Sequence, residues 1–385
     1  MFSFLLLIIY ICFISLGLPD SLLGSAWPAI YQGFDVPVSY AGFVSVTVAL
    51  GTIISSLLSD KLTKRFSPGL VTAVSILMTA LALLGFSLSS KFWMLIVFAI
   101  PYGLGAGGVD ACLNNYVALH YESKHMSWLH CMWGVGTTIS PYIMGFALTY
   151  GAGWNNGYLI VSIIQFVLVA FIFTTLPKWK KRDNVVEEGI KVESLTLKEI
   201  ISIPGAITCF ILFFCYCALE QTSMLWASSF LVLNNGIEEE IAAMLGSLFC
   251  IGITLGRGIN GFLTLKFNDK TLIRLGLTII LIGIILLFIP TNITNIIGFI
   301  LIGLGCAPVY PCIIHSTPKL FGRENSQAMI GVQMACAYTG ILLMPPLFGL
   351  IANNISISLL PVYLLIILTL AVTMNELTNN ITKIK

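Results

Sequence analysis

Residues Pro101 to His120 read PYGLGAGGVDACLNNYVALH. The stretch has the pattern of an apolar, glycine-rich helix. One carboxylate, Asp110, lies near its middle, and two asparagines, Asn114 and Asn115, come just after it. Two hundred residues later the chain nearly repeats itself, at Gly303-Leu304-Gly305-Cys306-Ala307-Pro308-Val309-Tyr310-Pro311-Cys312. On that offset Gly103-Leu104-Gly105 meets Gly303-Leu304-Gly305, Val109 meets Val309, Cys112 meets Cys312, and Asp110 falls opposite Tyr310. A second pair of acids keeps the same offset, Asp20 with Glu220, and a tryptophan follows each within two turns (Trp27, Trp226). Two copies of one apolar pattern, each with an isolated acid, read as a doubled membrane protein with a buried polar site.

Composition agrees. Hydrophobic residues are 57% of the chain and charged residues 9%, with a mean hydropathy of +0.96, far from soluble usage. A span needs about 20 apolar residues. Such stretches fall at 2–30, 38–58, 69–89, 92–120, 126–150 and 154–176, then 204–233, 237–264, 271–289, 293–319, 324–352 and 356–375. The fold class predicted is an all-α membrane protein of twelve helices in two pseudo-symmetric six-helix halves, 1–176 and 204–385, joined by a charged cytoplasmic linker at 177–203. The first stretch lacks the basic start of a cleaved signal peptide, and its apolar run is too long for one. No room is left for a soluble domain. An even number of spans per half makes the halves parallel repeats, and solute sites in such folds lie near the bilayer midplane between them.

Charge distribution gives the orientation. One side holds Lys61, Lys64, Arg65, Lys124, Lys178, Lys180, Lys181, Arg182, Lys266, Lys270, Arg274, Lys319, Arg323 and the Lys383/Lys385 tail. The other holds Lys91 alone, with Asp35 and the run Glu238-Glu239-Glu240. The positive-inside rule puts both termini and the linker in the cytoplasm. These basic runs are topology signals, without the aromatic-studded face of a nucleic-acid site, so no nucleic acid is expected as partner. The ten cysteines show no CxxC or Cys/His metal spacing and read as small core residues. No metal or cofactor is expected.

Between the second and third spans, Ser56-Leu57-Leu58-Ser59-Asp60-Lys61-Leu62-Thr63-Lys64-Arg65 resembles the major facilitator signature GxxxD(R/K)xGR(R/K). Asp60, Lys61, Lys64 and Arg65 match, and both glycines are replaced, by Ser56 and Thr63. An acid at a helix end and a basic turn can lock a cytoplasmic gate through charge pairs and dipole contacts. The same offset brings Gly256-Arg257-Gly258-Ile259-Asn260-Gly261, with Asn260 opposite Asp60, so a second and weaker gate would include Arg257, which otherwise snorkels from the end of its span.

The whole chain resembles a transporter of the major facilitator superfamily. Its fucose–proton symporter branch and related bacterial sugar permeases are the likeness carried by GLPDSLLGSAWPAI (17–30), GAGGVDACLNNYVA (105–118), HMSWLHCMWGVG (125–136), ALEQTSMLWASSFL (218–231) and GLGCAPVYPCIIH (303–315). The resemblance implies alternating access and proton-coupled uptake of a sugar or similar small polar solute. Asp20 and Asp110 would be its proton-linked acids. The expected setting is a bacterial plasma membrane, with the carrier a monomer.

An ionised carboxylate at the bilayer centre costs at least ~2.5–3.5 kcal/mol, so such groups face the bundle interior or a wet cavity. Asp20, Asp110 and Glu220 are therefore the proton-coupling candidates. Carboxylates serve protons and sodium alike, so the coupling ion stays open. Asp110 and Asn114, four apart, share a helix face, as do Asp20, Gly24 and Trp27. Amides and carboxylates suit the hydroxyls of a solute, and an aromatic face suits its C–H surface. Asn115 lies about 140° round from Asp110 in a regular helix, although Pro19, Pro308 and Pro311 can break spans one and ten and shift such facings. His130, Gln221, Trp226, Tyr310, His315 and Gln333 complete the solute-binding candidates. The glycines at 103, 105, 107 and 108 suit close helix contact, and with no strand before them they are not a dinucleotide loop.

Two other readings compete. Gly136-Thr137-Thr138-Ile139-Ser140-Pro141 with Gly145 partly matches the antiporter signature GxxxGPxxGG, which would make the chain an efflux carrier for a hydrophobic compound. A non-transporting sensor or intramembrane enzyme finds no support, since no HExxH or GxSxG appears. The chain is not expected to be an enzyme.

Overall fold

The computed structural model describes residues 4–150, 153–187 and 195–382. The start of the first span at Phe2, linker residues 188–194 and the Lys383/Lys385 tail lie outside the described residues, as do the side chains of Lys180, Lys181, Arg182, Glu239 and Glu240. Among the described residues every regular element is helical. In chain order they are α1 (Phe4–Asp20), α2 (Leu22–Gly33), α3 (Ala41–Phe66), α4 (Pro68–Ser87), α5 (Phe92–His120), α6 (Ser123–Thr149) and α7 (Gly153–Glu187). Then follow α8 (Leu197–Ser202), α9 (Ala206–Leu233), α10 (Glu239–Leu263), α11 (Asp269–Leu287), α12 (Asn292–Phe321), α13 (Ser326–Asn354) and α14 (Leu360–Ile381). Thr196 opens α8 in a reciprocal capping box with Glu199, and those bonds hold the Glu199 carboxyl below its ordinary range.

Among the described residues, ten stretches are long and apolar enough to cross a bilayer, with α1 and α2 counted together. Of the other two expected spans, α10 holds a shorter apolar stretch, Leu248–Leu263, and α6 is helical throughout. Phe43, Ile54, Phe146, Val167, Phe262 and Ile366 are exposed, and rows of large apolar side chains facing outward suit lipid rather than water. The chain is a multi-pass membrane protein.

Three boundaries differ from the expectation. Helix α3 runs to Phe66, so Asp60 to Arg65 form its last two turns instead of a loop. Thr63, where the signature has glycine, lets the helix continue. It stops at Ser67, whose φ of 71° leaves the helical region, and Pro68 starts α4 at once. Helix α7 continues past 176 to Glu187, so the linker begins as helix, and fully buried Trp179 packs beside Gly69 and the Tyr116 ring, centroids 5.1 Å apart. Span one is interrupted at Ser21, just past Pro19, whereas α12 runs unbroken through Pro308, Pro311 and Pro318.

The chain folds into two compact units, Met1–Tyr116 with Met132–Leu195, and Val117–Cys131 with Thr196–Lys385. Within the first, α5 packs by its glycines. A Cβ at Gly103 would stand 2.2 Å from the Val48 carbonyl oxygen, one at Gly107 2.4 Å from that of Thr52, and one at Gly105 2.5 Å from that of Ser75. Backbones of α3 and α4 thus lie directly on α5, and Thr52 Oγ1 donates across to Gly103 O at 3.2 Å. The second unit repeats the device: a Cβ at Gly303 would meet Phe249 O at 2.4 Å, and one at Gly305 would meet Gly276 O at 2.7 Å. The glycine reading holds in both copies. A methyl group at Gly103 has to push two helix backbones apart, so Gly103→Ala is expected to lose ~1–3 kcal/mol. A thermal melt in detergent should show a clearly lower Tm, and an unchanged Tm would mean the helices are free to separate.

Candidate functional site

In the first unit Asp20 ends α1, where the break at Ser21 leaves it exposed. Both carboxylate oxygens are held: Tyr102 Oη on α5 donates to Oδ1 at 3.0 Å, and Trp133 Nε1 on α6 donates to Oδ2 at 2.8 Å. Close packing sets this up. A Cβ at Gly17 would lie 2.2 Å from Trp133 O, and one at Gly136 2.2 Å from Ile14 O, so α1 and α6 touch backbone to backbone beside the acid. Gly136, the first residue of the antiporter-like phrase, is therefore a packing residue here.

Trp27 takes a different place from the one its spacing predicts. With the helix interrupted at Ser21, it does not share the open side of Asp20 and Gly24. Its ring is buried among Leu18, Leu22, Ile30 and Phe92.

Deeper in α5, Asp110, Asn114 and Asn115 are all buried. Asn114 Nδ2 donates to Asp110 Oδ1 at 2.7 Å and to its carbonyl at 3.0 Å, so the i,i+4 pair on one face is real. Asn115 is 6% exposed, buried on its own side of the helix. At the end of α3, Lys64 Nζ lies 3.0 Å from Asp60 Oδ2, while Lys61 and Arg65 are exposed and Arg65 covers the Phe66 ring. Asp60 itself is 5% exposed, and its Oδ1 has no hydrogen-bond partner among the described residues.

The second unit gathers another cluster. Arg257, on α10, does not snorkel: it is 3% exposed, with Nη2 3.1 Å from Glu220 Oε1 on α9. The carboxylate draws the guanidinium inward, which corrects its reading as a snorkelling cation. Tyr310 on α12 sits near the pair. Its ring is 4.5 Å from that of His130 and 4.8 Å from that of Phe213, and its hydroxyl donates to Met334 Sδ at 3.1 Å. Gln221, beside Glu220, is half-buried.

Three solute-binding candidates lie elsewhere, each engaged in holding helices together. His315 Nδ1 is 2.7 Å from Asp269 Oδ2 at the start of α11, and its Nε2 is 3.2 Å from Tyr121 O. Gln333 is fully buried and exchanges bonds with Thr317 Oγ1, with Cys209 Sγ at 3.0 Å. Trp226 Nε1 donates to Pro345 O at 3.0 Å, a tie from α9 to α13. Asn260, opposite Asp60 in the repeat, donates to Ser127 Oγ at 2.8 Å. Tyr102, Trp133 and Asp269 were not singled out by the sequence. The first two belong to the quoted phrases, where a polar aromatic inside an apolar span was the signal.

The family model for the Major Facilitator Superfamily matches residues 9–233 and 209–377. Bypass of stop codon protein 6 of Saccharomyces cerevisiae is 23% identical, over 91% of this chain and 77% of that one. The glucose/mannose transporter GlcP of Bacillus subtilis is 24% identical, over 78% of this chain and 77% of its own. Among solved structures, FucP in its outward conformation superposes with a TM-score of 0.83 at 14% identity, covering 97% and 98% of the two chains. A variant of the same E. coli fucose:proton symporter gives 0.78 at 15%, again over 97% and 98%. The chain's relatives and structural neighbours are transporters, not enzymes. By the match along nearly its whole length, the chain belongs to the Major Facilitator Superfamily of membrane transporters.

Proposed function

We propose that the protein is a secondary transporter working by alternating access, which takes up a sugar or similar small polar solute together with protons. The carrying observation is Asp20, a carboxylate within an apolar helix pair, held at both oxygens by the Tyr102 hydroxyl and the Trp133 indole. Such an acid is expensive in a bilayer unless it works, and acid, hydroxyl and indole together suit a polyhydroxy solute. Asp110 with Asn114, and Glu220 with Arg257, are the further groups assigned to proton and solute. The names of GlcP and of the fucose:proton symporter support the same class of cargo.

In this reading the chain has twelve spans in two six-helix halves, 1–176 and 204–385, with linker and termini in the cytoplasm of a bacterial cell, and it acts as a monomer. Asp60, Lys61, Lys64 and Arg65 form the cytoplasmic gate. Asp60→Asn is then expected to slow transport about tenfold or more, the loss of one charged contact, while outside solute affinity stays. Steady-state uptake beside solute binding checks this, and a normal rate with lost affinity would place Asp60 at the solute. The solute class is tested by a thermal-shift screen of monosaccharides, polyols and nucleosides on purified carrier. Stabilisation by a monosaccharide or polyol is expected. Stabilisation only by hydrophobic amphiphiles would favour the efflux reading.

A further inference from the structure

The two acids on the repeat offset are held by opposite chemistry. Asp20 accepts from neutral donors, Tyr102 and Trp133, whereas Glu220 faces a cation, Arg257. The side chains of Arg257 and Glu220 are only 4% and 17% exposed. Around them the titratable neighbours are Tyr216 on α9, Cys250 on α10, Cys306 and Tyr310 on α12, and His130 and Cys131 on α6. Among these groups Arg257 carries the one fixed charge, and the Glu220 carboxylate balances it.

We propose that Glu220 and Arg257 form a proton-compensated anion site, and that the solute is an acidic sugar with a single carboxylate. The inference rests on the sugar reading above and adds the charge of the cargo. A buried ion pair is weak evidence of stabilisation, but breaking it from one side leaves an uncompensated buried charge, the costly state. If Glu220 alone took up a proton, Arg257 would be left in that state. It is avoided when an anion arrives with the proton. The proton binds Glu220, whose neutral carboxyl releases Arg257 Nη2, and the carboxylate of the solute accepts from the guanidinium, a group whose planar donors match it. Total charge at the site is the same before and after. Release on the other side reverses the exchange, the carboxylate of Glu220 returning to Arg257 as its proton leaves.

A neutral sugar offers Arg257 hydroxyl oxygens but no compensating charge, so Glu220 stays ionised and the pair stays closed. The Glu220–Arg257 cluster thus takes the charge of the solute. The proton on Glu220 balances the solute and is additional to any driving proton on Asp110.

Matched solutes test this on the intact purified carrier, because D-glucuronate and D-glucose, D-galacturonate and D-galactose, and D-gluconate and sorbitol differ in the carboxylate. Binding is followed calorimetrically in buffers of different ionisation enthalpy, which counts protons. At least one acid is expected to bind about thirtyfold tighter than its neutral partner and to take up one proton more. In Glu220→Gln the extra proton should vanish while the acid still binds, with its pH dependence lost. Arg257→Gln should lose the preference, and Arg257→Lys should keep part of it, with thermal melts confirming that each variant is folded. A neutral sugar bound as well as or better than its acid overturns the inference and leaves the sugar reading intact. An extra proton that persists in Glu220→Gln also overturns it, since the acid then binds in its protonated form. Binding of none of the six by folded wild-type carrier overturns both.

Discussion

Asp110→Asn carrier should exchange its solute but fail to concentrate it. Asp110 is 4% exposed on α5, and Asn114 Nδ2 bonds its Oδ1 at 2.7 Å. An asparagine at 110 keeps an oxygen in place for that bond, so the substitution removes the titratable group with little disturbance to the helix pair. Its repeat partner Tyr310 has a hydroxyl that does not ionise in the range of a carboxylate, with reference pKa values of about 10 against about 3.9. Proton duty on this helix pair therefore falls to Asp110. Uphill accumulation is expected to drop to the level of passive equilibration, counterflow of pre-loaded solute to persist, and the pH dependence of uptake to flatten. Paired accumulation and counterflow in proteoliposomes over a range of pH makes the measurement. Gradient-driven accumulation with unchanged pH response would remove Asp110 from the coupling.

Asp20→Asn should instead lower both. Asp20 uses both oxygens as acceptors, for Tyr102 Oη and Trp133 Nε1. An amide in its place has one oxygen, and its NH2 group would point at the second donor. A lost and mismatched hydrogen bond costs ~1–3 kcal/mol, about one to two decades in affinity if the solute is held there. Trp133→Phe and Tyr102→Phe remove one donor each and should fall between wild type and Asp20→Asn. Equal solute affinity in all four proteins would place the solute away from Asp20.

The fold was largely legible because a bilayer admits few solutions: long apolar runs must be helices, and the offset between Gly103-Leu104-Gly105 and Gly303-Leu304-Gly305 exposed the duplication. Asp20, Asp110 and Glu220 stood out for the same reason, as acids in apolar surroundings. What a linear pattern carried less well was the facing of each side chain. Trp27 lies in a hydrophobic cluster with residues of other helices, which spacing along one helix does not show. Arg257 looked like a helix-end cation because its partner Glu220 lies 37 residues away on another helix. Helix ends were hidden where the apolar pattern faded before the helix did, as in the last turns of α3 and in α7 beyond 176. Gln333 and His315 read as polar groups awaiting a solute, and only packing shows that Thr317, Cys209 and Asp269 already engage them.

In the proposed function, protons drive a polar solute through this protein. Purified carrier in liposomes, given an inward proton gradient and a labelled monosaccharide or acidic sugar that stabilises it, should accumulate the label above the outside concentration. A protonophore should abolish that accumulation. Uptake that stops at equilibrium, unchanged by the gradient or the protonophore while counterflow runs normally, would contradict the account and make the protein a facilitator.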